Sequence, residues 1–98
     1  MMKRTLGILL VLALLLSTVA VAQAEPTQIE IWSPLTGAKA ETFDALVAEF
    51  NASQSDVFVT VVHQGGYDIV RQKMAAAFNA KNMPQMVLAD YIDVPLYV

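Results

Sequence analysis

The sequence predicts an α/β chain that opens with a parallel β-α-β-α-β unit. Three observations predict it. Short segments of strand character alternate with two stretches of helical periodicity. Gly and Pro breaks separate them, at Pro34, Gly65-Gly66 and Pro84. The connections are long enough to carry helices, which gives parallel pairing with right-handed crossovers.

The elements follow in order. Lys3 and Arg4 form a basic start, and Leu6 to Leu16 is apolar apart from Gly7. Ala22-Gln23-Ala24 is a small-x-small site before Glu25, so residues 1–24 are expected to be a cleaved signal peptide, helical while it lasts. The strongly apolar core falls short of the ~20 residues a bilayer span needs. No cysteine follows it to carry a lipid. Gln28 to Ser33 alternates polar and apolar residues and meets Pro34, as a strand end does. Thr36-Gly37 breaks the chain. Between Lys39 and Ser53, Phe43, Leu46, Val47 and Phe50 make an i, i+3, i+4, i+7 stripe, the mark of an amphipathic helix. Asn51 to Asp56 reads as a polar turn. Val57 to Val62 is almost entirely β-branched or aromatic, which predicts a strand buried on both faces. Tyr67-Asp68 starts a second helix with Val70, Met74, Ala77 and Phe78 as its stripe; Asn82 and Pro84 stop it near Lys81. Gln85 to Ala89, between Pro84 and Asp90, is the third strand.

Composition narrows the function. The 56% hydrophobic content is inflated by the first 24 residues. Removing those from 98 leaves 74, with four basic residues against nine acidic, a net charge of −5. Such a surface repels a phosphate backbone, so nucleic-acid binding is not expected. With no cysteine and one histidine, His63, neither a disulfide framework nor a His- or Cys-rich metal site can form. Three parallel strands with two helices leave sheet surface uncovered, and about 74 residues bury only about 60% of their unfolded surface. The chain therefore reads as the first part of a larger protein, marginal by itself.

Ligands of open parallel sheets sit outside the carboxyl ends of the strands, near the switch point in strand order. Three segments occupy that rim: Ser33 to Ala38, His63 to Tyr67, and Asp90 to Asp93. The first offers the hydroxyls of Ser33 and Thr36 with helix N-terminal amides. The second offers Gly65 and Gly66, which admit a ligand close to backbone, and then the ring of Tyr67. The third brings Asp90, Tyr91 and Asp93. Hydroxyls, flat rings and carboxylates together suit a sugar or polyol: the acid accepts from ligand hydroxyls while a ring packs on C–H faces. Plainer roles stand beside these. Trp32 serves as a strand aromatic or a ligand platform, and His63 as a backbone-bonded strand end or a base. Gly65-Gly66 serves the turn or the ligand, Asp68 favours the helix dipole, and Met74, Met83 and Met86 fill the core. The glycine spacing matches neither a P-loop nor a dinucleotide fingerprint, and no cofactor is expected.

Several segments together resemble the family-1 extracellular solute-binding proteins of bacterial ABC importers, the sugar and glycerol-3-phosphate type. They are Ile29-Glu-Ile-Trp-Ser-Pro-Leu-Thr-Gly37, Phe43-x-x-Leu-Val-x-Glu-Phe-Asn51, Val61-Val-His-Gln-Gly-Gly-Tyr67, and Lys73-Met-Ala-Ala-Ala77 leading to Asn82-Met-Pro84. They run in family order. The resemblance implies two α/β lobes closing over a solute in a hinged cleft, with residues 25–98 as the start of the first lobe. It implies a periplasmic monomer that hands its solute to an ABC permease and catalyses nothing. The tyrosine of the family's Gly-x-Tyr stretch, which contacts glycerol phosphate, matches Tyr67. The family's acid after the third strand falls on Tyr91, a departure, with Asp90 one position earlier. That departure favours a sugar or other polyol over glycerol phosphate. The competing functions are an exported α/β hydrolase using His63 with Asp90 or Asp93, and a sensory ligand-binding domain. No Gly-x-Ser-x-Gly elbow or metal-ligand spacing supports the hydrolase.

Overall fold

The computed structural model describes residues 2–4 and 22–98. The apolar core of the expected signal peptide lies outside the described residues. Strands β1 (Thr27–Ser33), β2 (Val57–His63) and β3 (Met86–Val87) form one sheet in the order β2-β1-β3, joined by helices α1 (Gly37–Ser53) and α2 (Tyr67–Asn79). Every pairing is parallel, with Ile31 opposite Val61 on one side and Met86 on the other. The expected β-α-β-α-β order is present. The path steps from β1 outward to β2, then back across to β3. Right-handed crossovers in opposite directions put α1 and α2 on opposite faces.

Alternation along β1 and β2 assigns the faces. The odd-numbered side carries Ile31 and Val59, which line an apolar trough with Phe43, Val47 and Phe50 of α1. On the other side α2 buries Val70, Met74 and Ala77, three of its four expected stripe residues; Phe78 stays 68% exposed. The helix ends in a Schellman motif: Asn82 N–H bonds Ala77 C=O, Lys81 N–H bonds Phe78 C=O, and Lys81 sits at φ 54°.

The structure corrects three expectations. β2 is not buried on both faces: Phe58 is 46% exposed and Thr60 is exposed. α2 packs against β1 instead, so no layer among the described residues covers the even-numbered side of β2. The third strand is two residues long rather than five. Its entry is replaced by a side chain, since Gln85 Oε1 accepts the Glu30 N–H at 2.8 Å. Leu88 N–H still bonds Trp32 C=O at 2.9 Å beyond the strand's end. Met83 and Met86 are not core filler; both are exposed, and with Met74, Phe78, Leu96 and Tyr97 they line an apolar groove beside α2.

The polar turn after α1 does more than reverse the chain. Asn51 donates to Val59 C=O at 2.9 Å and accepts from Val59 N–H at 2.8 Å. Gln54 does the same for Val57, donating at 2.7 Å and accepting at 2.8 Å. Two amide side chains thus stand where a fourth strand would pair, blocking part of the outer edge of β2. Asn51→Ala removes two of these bonds. Urea unfolding of the full-length protein should show a loss of about 1–2 kcal/mol, with a rise in self-association. An unchanged midpoint would show that the edge is held by other means.

Candidate functional site

Because all three strands are parallel, their carboxyl ends meet at one rim, and β1 lies between the other two. The last carbonyls of β1 hold both neighbours: Ser33 C=O accepts Gln64 N–H at 2.7 Å, and Trp32 C=O accepts Leu88 N–H at 2.9 Å. The three expected segments therefore emerge side by side. The switch in strand order falls between β1 and β3, the place where ligands of open parallel sheets bind, between the turn after Ser33 and the turn after Leu88.

Each candidate residue has a distinct setting. Ser33 is fully buried, and its Oγ accepts Leu35 N–H at 3.1 Å, shaping the turn into α1. Thr36 is the exposed N-cap of α1, yet its hydroxyl makes no capping bond. Gly37 follows at φ 56°, the left-handed region, where a side chain would strain the helix start. After β2, Gly65 sits at φ 97°, and a Cβ there would stand 3.3 Å from Ile69 Cδ1; the turn itself requires this glycine. Gly66 is different. It is the N-cap of α2, and a Cβ on it would meet nothing within 4 Å, so open space lies beside that backbone. Tyr67 is the first residue of α2 and is 45% exposed. Asp90 is half-buried and Tyr91 is 84% exposed, in a turn closed by Asp93 N–H to Asp90 C=O at 2.9 Å.

The other polar candidates are already engaged. Trp32 Nε1 donates to Glu30 Oε1 at 2.6 Å, which directs the indole back along β1. His63 Nε2 lies 2.8 Å from Asp44 Oδ1 on α1, a side-chain pairing where sequence reading offered a backbone bond. Its Nδ1 is buried without a partner. The hydrolase pairing of His63 with Asp90 or Asp93 is not formed.

Asp93 is 4% exposed and takes a two-pronged grip from Arg71, Nε to Oδ1 at 2.9 Å and Nη2 to Oδ2 at 3.0 Å. Arg71 Nη1 also reaches Asp68 Oδ1 at 3.1 Å. Hydrogen bonding to Asp93 first, and that carboxylate's charge next, push the guanidinium above its ordinary value. The Arg71–Asp93 pair is not legible in the sequence, because nothing local links residues 71 and 93. Among the described residues no group of three or more His, Cys, Asp or Glu could hold a metal, and no helix is long and apolar enough to cross a membrane.

This geometry has close relatives. The chain is 41% identical over 61 residues to the sn-glycerol-3-phosphate-binding periplasmic protein of Agrobacterium fabrum, matching 62% of this chain and 14% of that one. The protein of the same name from Brucella abortus is 34% identical over 76 residues, 78% of this chain and 17% of that one. The cyclic α-maltosyl-1,6-maltose binding protein of Arthrobacter globiformis superposes with a TM-score of 0.69 at 30% identity, over 72% of this chain and 18% of that one. Over its matched residues the chain is similar in sequence and in fold to these solute-binding proteins. No family model matches it. It spans about one sixth of the length of these solute-binding relatives. The α/β architecture expected from the resemblance, a parallel sheet with flanking helices, is the one present.

Tyr97 adds a titratable neighbour to the Arg71–Asp93 pair. Burial first, and the Asp93 charge second, raise its phenol above the usual value of about 10. The fold thus favours the neutral phenol. That stability is complete below the usual value and is lost as pH climbs through the raised one. In the full-length protein, Tyr97→Phe should flatten the alkaline fall of the urea midpoint that sets in as pH rises past the usual tyrosine value. An alkaline limb identical to the parent's would refute this.

Proposed function

We propose that this chain forms the start of the first lobe of an extracytoplasmic binding component of an ABC importer. It captures a sugar or glycerol-phosphate-type solute and delivers it to a membrane permease, as a monomer and without catalysis. The export signal expected over residues 1–24 carries it out of the cytoplasm.

The observation that carries the reading is the shared rim. Thr36, Gly66, Tyr67, Asp90 and Tyr91 stand on adjacent turns at the carboxyl ends of β1, β2 and β3. The names of the matched relatives, all binding proteins, support it. Each group has a chemical task. The Tyr67 ring packs on the C–H face of the solute, and the open backbone at Gly66 lets it approach closely. Asp90 accepts from solute hydroxyls, standing one place before Tyr91, which supplies a second ring. Ser33, buried under the first turn, shapes the rim rather than touching the solute. A half-site of this kind binds weakly by itself. A facing lobe would close over the solute and exclude water.

The test uses the full-length protein with a panel of sugars and glycerol phosphates. A bound solute should raise the melting temperature and be recovered chemically intact; altered solute would point to an enzyme. Tyr67→Ala should weaken binding about tenfold or more, the effect of removing a central aromatic contact. Unchanged affinity would remove Tyr67 from the site.

A further inference from the structure

The rim has three turns, and among the described residues backbone bonds tie β1 to the turn after β2 and β1 to the turn after β3. The outer two segments, one bearing Tyr67 and the other Asp90 and Tyr91, belong to different elements. Among the described residues, the side-chain hydrogen bonds between them come from Arg71. Arg71 lies one helical turn beyond Tyr67, so its Cα moves with the start of α2. Its fork closes on both oxygens of Asp93, whose own N–H completes the Asp90–Asp93 turn and whose C=O accepts Leu96 N–H at 2.9 Å. A third donor, Nη1, is anchored by Asp68 in the first turn of α2.

We propose that Arg71 and Asp93 are positioning residues for solute binding: the fork between them fixes the spacing of Tyr67 from the Asp90–Tyr91 turn. The inference rests on the binding role proposed above and names what holds that site in register. Geometry argues for position over bulk stabilisation. A planar fork on a carboxylate fixes angle as well as distance, where an ammonium fixes only distance. Asp93 is the buried acid of the third turn, and both of its oxygens accept from Arg71, so it is turned away from the solute. Asp90, the half-buried acid of that turn, keeps the solute-facing role. The pair therefore acts through Tyr67, Asp90 and Tyr91 and touches no ligand.

The experiment is a double-mutant cycle in the full-length protein, with maltose and sn-glycerol 3-phosphate as calorimetric probes. Arg71→Lys keeps the charge and loses the fork; it should weaken the probe that binds by about tenfold. In a Tyr67→Ala background the same change should cost much less, because the residue being positioned is gone. Simple additivity, or no effect of Arg71→Lys while Tyr67→Ala weakens binding, overturns the positioning role and leaves the site standing. No effect of Tyr67→Ala overturns both. Where Arg71→Lys fails to fold, Asp93→Asn carries the same expectations, since it keeps the shape of the acceptor. A ligand-free readout decides the case in which neither probe binds. Amide exchange should then quicken together at residues 66–70 and 90–93 and not in β1; exchange that rises in one segment alone, or everywhere, overturns the proposal.

Discussion

The end of β1 governs this structure. Its last two carbonyls point to opposite neighbours, Trp32 toward Leu88 and Ser33 toward Gln64. In a parallel ladder successive backbone groups face alternate sides, so a central strand can hold a turn on each flank with adjacent residues. Pro34 follows at once, has no N–H to extend the ladder, and is itself buried. The chain must leave the sheet there, and the three turns are brought level by that stop. Remove the register at residues 32 and 33 and the rim has no common edge.

Around that centre the sheet is asymmetric. The odd-numbered face meets α1 across an apolar trough lined by Phe43 and Val47, with no residue of that helix fully buried, and His63 is tied to the same helix by Asp44. The opposite face is sealed over β1 by α2 but left open at Phe58 and Thr60. The polar contacts are of two kinds. Asn51 and Gln54 on the β2 side, like Gln85 on the β3 side, satisfy backbone groups, while Arg71 pairs by charge with Asp68 and Asp93. Backbone-satisfying amides stiffen an edge; a guanidinium fork joins two elements that lack a ladder between them.

Much of this was readable from residues alone, because strand alternation and helical spacing are local. The stripe Val70, Met74, Ala77 is buried as its period requires, and the positive φ of Gly65 was implicit in a strand-to-helix break. The rim was legible too, since parallel pairing alone puts all carboxyl ends together. What could not be read depends on strand order. Placing β1 centrally strands Phe58 on a bare face, and it lets Gln85 stand in for a backbone partner at Glu30. It also brings residue 93 to residue 71 across 22 positions. No periodicity encodes such meetings. The same limit applies to Asn51, whose role needs the location of Val59 and not merely the polarity of a turn.

The amides of Asn51 and Gln54 give the sheet a direction of growth. With the outer hydrogen-bonding groups of Val57 and Val59 taken, a newly arriving strand finds little to zip onto at that margin. The opposite margin, beside Met86 and Val87, carries no comparable plug among the described residues. A strand added to this sheet is therefore steered to the Met86–Val87 flank by the last turn of the first crossover.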